Sequence, residues 1–202
     1  MTKAFIVIEG QSDREILAAL LPATILEDVD FVVGQERSSA ISLARSILVA
    51  EYIPVALVLD ADTTNRSAIR EERDFLRMSL ADASFGTKYA FFLAIPEIEI
   101  LFFDDWEFVG QQIGKSKQEF TSFEIEYAQL QPKKFLFSQI QKAPSQDALA
   151  FLLAQMSTQT IERIRQNPLV SGLSDFLLSV IEKNSERSRR STVPAAVRTL
   201  AA

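Results

Sequence analysis

"VALVLDAD", residues 55–62, decides the fold. Five apolar residues run without a polar break, as in a strand covered on both faces. Pro54 stands at its start, where a missing N–H does no harm. The run then ends in two carboxylates, Asp60 and Asp62. Working upstream, "FIVI" at 5–8 is a second such run, and it ends in Glu9-Gly10. A shorter one at 31–33 ends in Gly34, and downstream the run at 89–95 is stopped by Pro96. Helical patterns fill the gaps. Ser12 and Glu15 have the spacing of a capping box, with Ile16, Leu17, Leu20 and Leu21 as the buried face and Pro22 as the stop. Further helices are predicted over 39–52 and 66–80. Strands alternating with helices at this rhythm indicate an α/β domain with a small parallel sheet.

Beyond Trp106 the pattern changes to a mainly helical lobe, with helices expected over 133–142, 146–165 and 173–186 between Pro132, Pro144 and Pro168. The stretch 115–119 reads as a loop or a short helix start, and Asp104-Asp105 as a solvated turn. The expected organisation is a core over 1–105, a helical lobe over 106–186 packed on it, and a basic, frayed tail over 187–202 carrying Arg187, Arg189, Arg190 and Arg198. There are no internal repeats.

Composition narrows the chemistry. Of 202 residues, 48% are apolar and 24% charged, enough for a real core. No apolar run is long enough to cross a bilayer, the start lacks a leader pattern, and the expected setting is cytoplasmic. The chain has neither cysteine nor histidine. That excludes disulfides, thiolate nucleophiles, histidine general bases and the usual zinc sites together. What remains are carboxylates, Lys and Arg, hydroxyls, or a hard cation held by oxygen such as Mg²⁺ or Mn²⁺. The net charge of −6 argues against a broad basic face for a polyanion.

The carboxylates have a pattern. In a parallel α/β sheet the C-terminal ends of neighbouring strands form one edge, where ligands bind. Glu9 ends the first strand, Asp60 and Asp62 end the strongest, and Glu97 and Glu99 follow the next apolar run. Within each pair, alternation projects both acids alike if the strand persists. Such a cluster repels itself unless a cation intervenes, so it reads as a divalent-metal site. Taken singly, Glu9 and Asp62 also suit helix starts, and Glu97-x-Glu99 also suits an edge strand or an amphipathic segment.

The order "IVIEGQSD … VLDAD … PEIE" resembles the Toprim family, metal-binding catalytic domains of topoisomerases, primases and several nucleases. The resemblance spans about half the chain, residues 3–105. It implies Glu9 as the signature general base or acid or metal ligand, and Asp60 and Asp62 as the metal-binding pair. Asp13 matches an acidic position in the "EGxxD" form of the first motif. Glu97 or Glu99, with Glu99 favoured, matches the later acid of OLD-type nucleases. "DADTTNRSAIREE" lacks the glycine that topoisomerases and primases place there, which points to the OLD-like branch. No nucleophilic-tyrosine context, zinc finger or ATPase motif accompanies it. The implied activity is Mg²⁺- or Mn²⁺-dependent cleavage of DNA or RNA, in phage defence or nucleic-acid processing. The implied partners are nucleic acid, a second copy, or a separate protein such as an ATPase; no membrane is involved. OLD-type members use a basic residue near the phosphate, for which Arg66, Lys88, Lys115 and Lys117 are candidates.

Two other readings stand beside this one. "VLDADTT" matches the DxDx[TV] phrase of haloacid-dehalogenase-like phosphohydrolases, with Asp60 as nucleophile and Asp62 as acid/base. That reading leaves Glu9-Gly10 unexplained, and about 55 residues of α/β pattern precede the phrase. The other is a Toprim-like module that binds without catalysis.

Overall fold

The computed structural model describes residues 2–140 and 148–191, the last eight of these as backbone alone. Four strands form one all-parallel sheet: β1 (Ala4–Ile8), β2 (Val29–Val33), β3 (Val55–Asp60) and β4 (Tyr89–Ala94), in the order β2-β1-β3-β4. Ile6 lies beside Phe31 on one flank and Ala56 on the other, and Leu57 beside Phe91. The chain leaves β1 towards β2 and then crosses back over β1 to β3. That reversal sits between β1 and β3, where open α/β sheets place their ligand crevice.

Side-chain alternation divides the core between the two faces of the sheet. Val7, Val55, Leu57 and Leu59 point to one face, under α3 (Arg37–Ala50) and α4 (Arg66–Ser84). Ala4, Ile6, Ile8, Ala56, Val58 and Ala94 point to the other, and they share one continuous apolar cluster with the helical half. That half comprises α1 (Gln11–Leu20), the short α2 (Ala23–Leu26), a 3₁₀ segment at Ile98–Asp105, and α5 (Trp106–Ile113). It continues through α6 (Ser122–Leu130), α7 (Pro132–Gln139), α8 (Ala148–Gln155), α9 (Thr158–Arg165) and α10 (Pro168–Ser191). Helices fall on opposite faces because right-handed crossovers in opposite directions must. Each wholly buried Leu or Ile on these faces contributes about 1.5–3 kcal/mol.

Several local expectations change. The first helix begins two residues early: Gly10 is its N-cap, and Asp13, not Ser12 with Glu15, satisfies the cap backbone (Gly10 N–H to Asp13 Oδ2, 2.8 Å). The helix expected over 146–165 is two, α8 and α9, because Ser157 caps a new start by accepting from Thr160 N–H at 3.0 Å. Residues 146–147 of that expectation, and 141–142 of the helix expected over 133–142, lie outside the described residues. Pro168 opens α10 rather than preceding it, as proline suits a first helical position. The α10 backbone runs on to Ser191, through the first residues of the expected tail, while residues 192–202 of the tail lie outside the described residues. Asp105 is no solvated turn: it is buried, caps α5 through Phe108 N–H (3.1 Å) and pairs with Arg163 at 2.7 Å. No helix among the described residues is long and apolar enough to cross a membrane.

Candidate metal and phosphate centre

The C-terminal edge of the sheet collects the acids. Glu9 follows β1, and its Oε1 accepts from the backbone N–H of Asp60 at 3.1 Å, tying the ends of the two central strands together. Asp60, the last residue of β3, has the parity of Ala56 and Val58 and so turns towards the helical half. Its Oδ1 accepts from Ile98 N–H at 2.8 Å, which fastens the 3₁₀ segment to the edge. Glu99, one residue on, is fully buried, and among the described residues neither of its carboxylate oxygens has a hydrogen-bond partner. Asp13 in the first turn of α1 is also buried and adds its charge to the field at Asp60.

The paired projection expected within each motif does not occur. β3 stops at Asp60, and Asp62 adopts a left-handed conformation (φ 53°) that swings its side chain into solvent, 69% exposed. Glu97 and Glu99 diverge because the backbone turns into a 3₁₀ segment there, not a strand. Glu99 goes inward, whereas Glu97 caps α7 by accepting from Lys133 N–H at 3.2 Å.

Two cations that the sequence reading passed over stand among these acids. Arg37, the first residue of α3, sets Nη1 at 3.6 Å from both Glu9 and Asp62 and donates from it to the Asp60 carbonyl at 2.5 Å. Its Nη2 pairs with Glu72 of α4 at 2.9 Å. Lys133, at the start of α7, brings Nζ to 3.4 Å from Glu99, close enough for an ion pair but not a good hydrogen bond. Both sit in the first turn of a helix, where the macrodipole disfavours positive charge. A basic residue in that place is the signal that an acidic neighbour lies close.

The charges do not balance. Glu9, Asp13, Asp60, Asp62 and Glu99 face Arg37 and Lys133. Asp60 is pushed up to about 8, by burial first and then by the charges of Asp13, Glu99 and Glu9, against the Ile98 N–H. Burial also raises Glu9, opposed by the Asp60 N–H and by Arg37. Burial raises Glu99 too, opposed by Lys133. Burial would lower Lys133, but Glu99, Asp13 and Asp60 outweigh it and hold its ammonium charged. An under-compensated, all-oxygen acidic edge is suited to a hard divalent cation. Among the described residues no three acids form a ready cage.

The basic residues favoured from sequence lie elsewhere. Lys88 precedes β4, at the opposite end of the strands, beside Lys183. Lys115 follows α5 and pairs with Glu124 at 2.5 Å. Lys117 is in a 3₁₀ turn at Lys117–Glu119 on the same lobe, exposed. Arg66 opens α4, four residues after Asp62, and is exposed. No protein-family model matches the chain, and neither a curated protein nor a solved structure matches it significantly.

Proposed function

We propose that the carboxylate edge is a Mg²⁺ or Mn²⁺ site and that the protein is a metal-dependent phosphodiesterase acting on DNA or RNA, of Toprim/OLD-like type. The observation that carries this reading is Asp60. Its carboxylate stands at the topological switch point, bordered by Glu9, Asp13 and Glu99 from three other segments, with its proton affinity raised to about 8. That environment disfavours an unaccompanied anion and favours one that shares a cation. The sequence order that resembles Toprim domains supports the same reading.

On this reading Asp60 is the principal ligand, with Glu9 or Glu99 beside it. The ion would polarise the scissile phosphate and lower the pKa of an attacking water. Glu9, partly buried and raised by that burial, would take the water's proton. Asp13 holds the Glu9-Gly10 turn in shape through the Gly10 N–H. Arg37 and Lys133 are the basic groups nearest the acids. They supply what the resemblance asks of a phosphate contact better than Lys88, Lys115 or Lys117.

The test is cleavage of supercoiled plasmid, linear DNA and single-stranded RNA with Mg²⁺, Mn²⁺ or EDTA. Native protein is compared with Glu9→Ala and Asp60→Asn. Metal-dependent cleavage lost in both variants supports the proposal. Hydrolysis of small phosphomonoesters that survives Glu9→Ala and dies in Asp60→Asn would instead support the phosphohydrolase reading. No cleavage by native protein under any condition would refute the nuclease reading for this chain.

A further inference from the structure

The far side of the sheet from β2 ends in β4, and no described strand pairs with its outer edge. Val55 N–H bonds to the Lys88 carbonyl and Ala61 N–H to the Ala94 carbonyl. Alternate residues of a parallel ladder bond the same neighbour, so Ala90, Phe92 and Ala94 turn their backbone groups towards β3. Tyr89, Phe91 and Leu93 turn theirs outward, where no described residue bonds them. Two cavities follow that edge. One of about 480 Å³ runs beside residues 91–95, between Arg73 of α4 and Pro168 and Leu169 of α10. The other, of about 370 Å³, lies at the start of the strand beside Lys88, Tyr89 and Phe176.

The rim of this edge is basic. Arg66, Arg70, Arg73 and Arg77 recur at intervals of four, three and four residues and so share one face of α4, all exposed. Glu72, which reaches α3 through Arg37, lies on the other flank of the buried face of α4. The arginine row therefore looks away from α3 and towards β4, where Arg73 lines the larger cavity. Arg66, Arg70 and Arg73 have no ion-pair partner among the described residues, and Arg77 has Asp74 of its own helix at 2.5 Å. Like charges three and four positions apart on a helix repel. In a chain of net charge −6 such a row calls for an anionic occupant. At the start of β4, Lys88 beside Lys183 extends the positive rim.

We infer that the outer edge of β4 docks an extended acidic segment of a partner protein, which joins the sheet as a fifth strand. The outward N–H and C=O groups of Phe91 and Leu93 complete a ladder with the backbone of that segment. Its side chains alternate between the two faces. Acidic ones on the α4 side meet the arginine row, and apolar ones on the other side meet Phe92, Leu101 and Leu169. A second copy of this chain fits less well, because two β4 edges paired antiparallel about a two-fold axis set arginine row against arginine row. Docking here is independent of the metal reading.

The test uses a fluorescein-labelled, end-capped peptide of alternating Glu and Val, six residues long to match β4. Its binding to the full chain is read by fluorescence anisotropy beside an alternating Lys and Val counterpart, and by amide hydrogen exchange. The native chain should bind the acidic peptide and not the basic one. The amides of Phe91 and Leu93 should gain protection, while that of Phe92, already bonded to β3, should not change. Arg70→Gln with Arg73→Gln, both at exposed positions, should weaken binding about five-fold or more at low salt. Arg70→Glu with Arg73→Glu should turn the preference towards the basic peptide. No binding of the acidic peptide, binding that leaves Phe91 and Leu93 unprotected, or binding indifferent to the arginines would each overturn the inference. Oligothymidylate bound more tightly through the same arginines would overturn it in favour of a nucleic-acid track. A dimer in sedimentation whose Phe91 and Leu93 amides are protected without peptide would overturn it in favour of self-association.

Discussion

Replacing Asp60 with asparagine in metal-free protein should remove much of a stability loss that the native chain suffers as pH rises from about 5 to about 8. In the unfolded chain an aspartate titrates near its ordinary value, about 3.9, whereas in the fold Asp60 is pushed up to about 8. Between those values the folded state holds a proton that the unfolded state has released. The stabilisation is therefore complete in acid, below the unfolded pKa, and is lost as pH climbs towards the folded one. A whole proton corresponds to about 1.4 kcal/mol per pH unit. Two units across neutrality thus cost at most about 3 kcal/mol for one group. Glu9 and Glu99, also raised by burial, work in the same direction. Asp13 of α1 adds to the repulsion, while Lys133 of α7 and Arg37 of α3 oppose it. These groups share their protons, so the measured slope belongs to the cluster. Asparagine keeps the size and retains an oxygen for the Ile98 N–H. Urea unfolding in EDTA at successive pH values should show native stability falling with pH and the Asp60→Asn line clearly flatter. Parallel lines, or native stability that rises with pH, would refute the reasoning.

Other substitutions test the frame around the site. Lys133→Met strips Glu99 of its counter-charge and should cost about 1–3 kcal/mol at neutral pH by chemical unfolding, less than for a fully buried pair because Lys133 is 46% exposed. Adding Glu99→Gln should recover most of that loss. Gly34→Ala drives a methyl into the backbone of Ala40 and should cost about 1–3 kcal/mol, read as a lowered melting temperature, because the first turn of α3 must move. Asp13→Ala removes the acceptor for Gly10 N–H and should lower stability by about 1 kcal/mol.

The sheet was legible because its strands are short apolar runs closed by Gly, Pro or acid, and a strand buried on both faces leaves little else to read. Glu9 and Asp60 were legible for the same reason: a carboxylate at the end of such a run lands on the ligand-binding edge whatever the details of the loops. Asp62 and Glu97 were misdirected because extrapolating alternation assumes that the strand continues. β3 ends at Asp60, and 3₁₀ turns replace a strand after Pro96. Arg37 and Lys133 escaped because their partners are 28 and 34 positions away in sequence, so no local spacing marks them. Their positions in the first turn of a helix, against the macrodipole, carried the information. Asp105 was misread for a related reason, since Arg163, its partner, is also remote.

The most direct test of the central claim is Mn²⁺ binding to native protein and to Asp60→Asn under identical conditions, followed by the electron paramagnetic resonance of the bound ion. If the edge is a hard-cation site with Asp60 as its principal ligand, native protein binds Mn²⁺ saturably and Asp60→Asn loses at least about ten-fold in affinity, since a charged oxygen ligand becomes a neutral one. Equal binding by the two, or no saturable binding by native protein, would contradict the account.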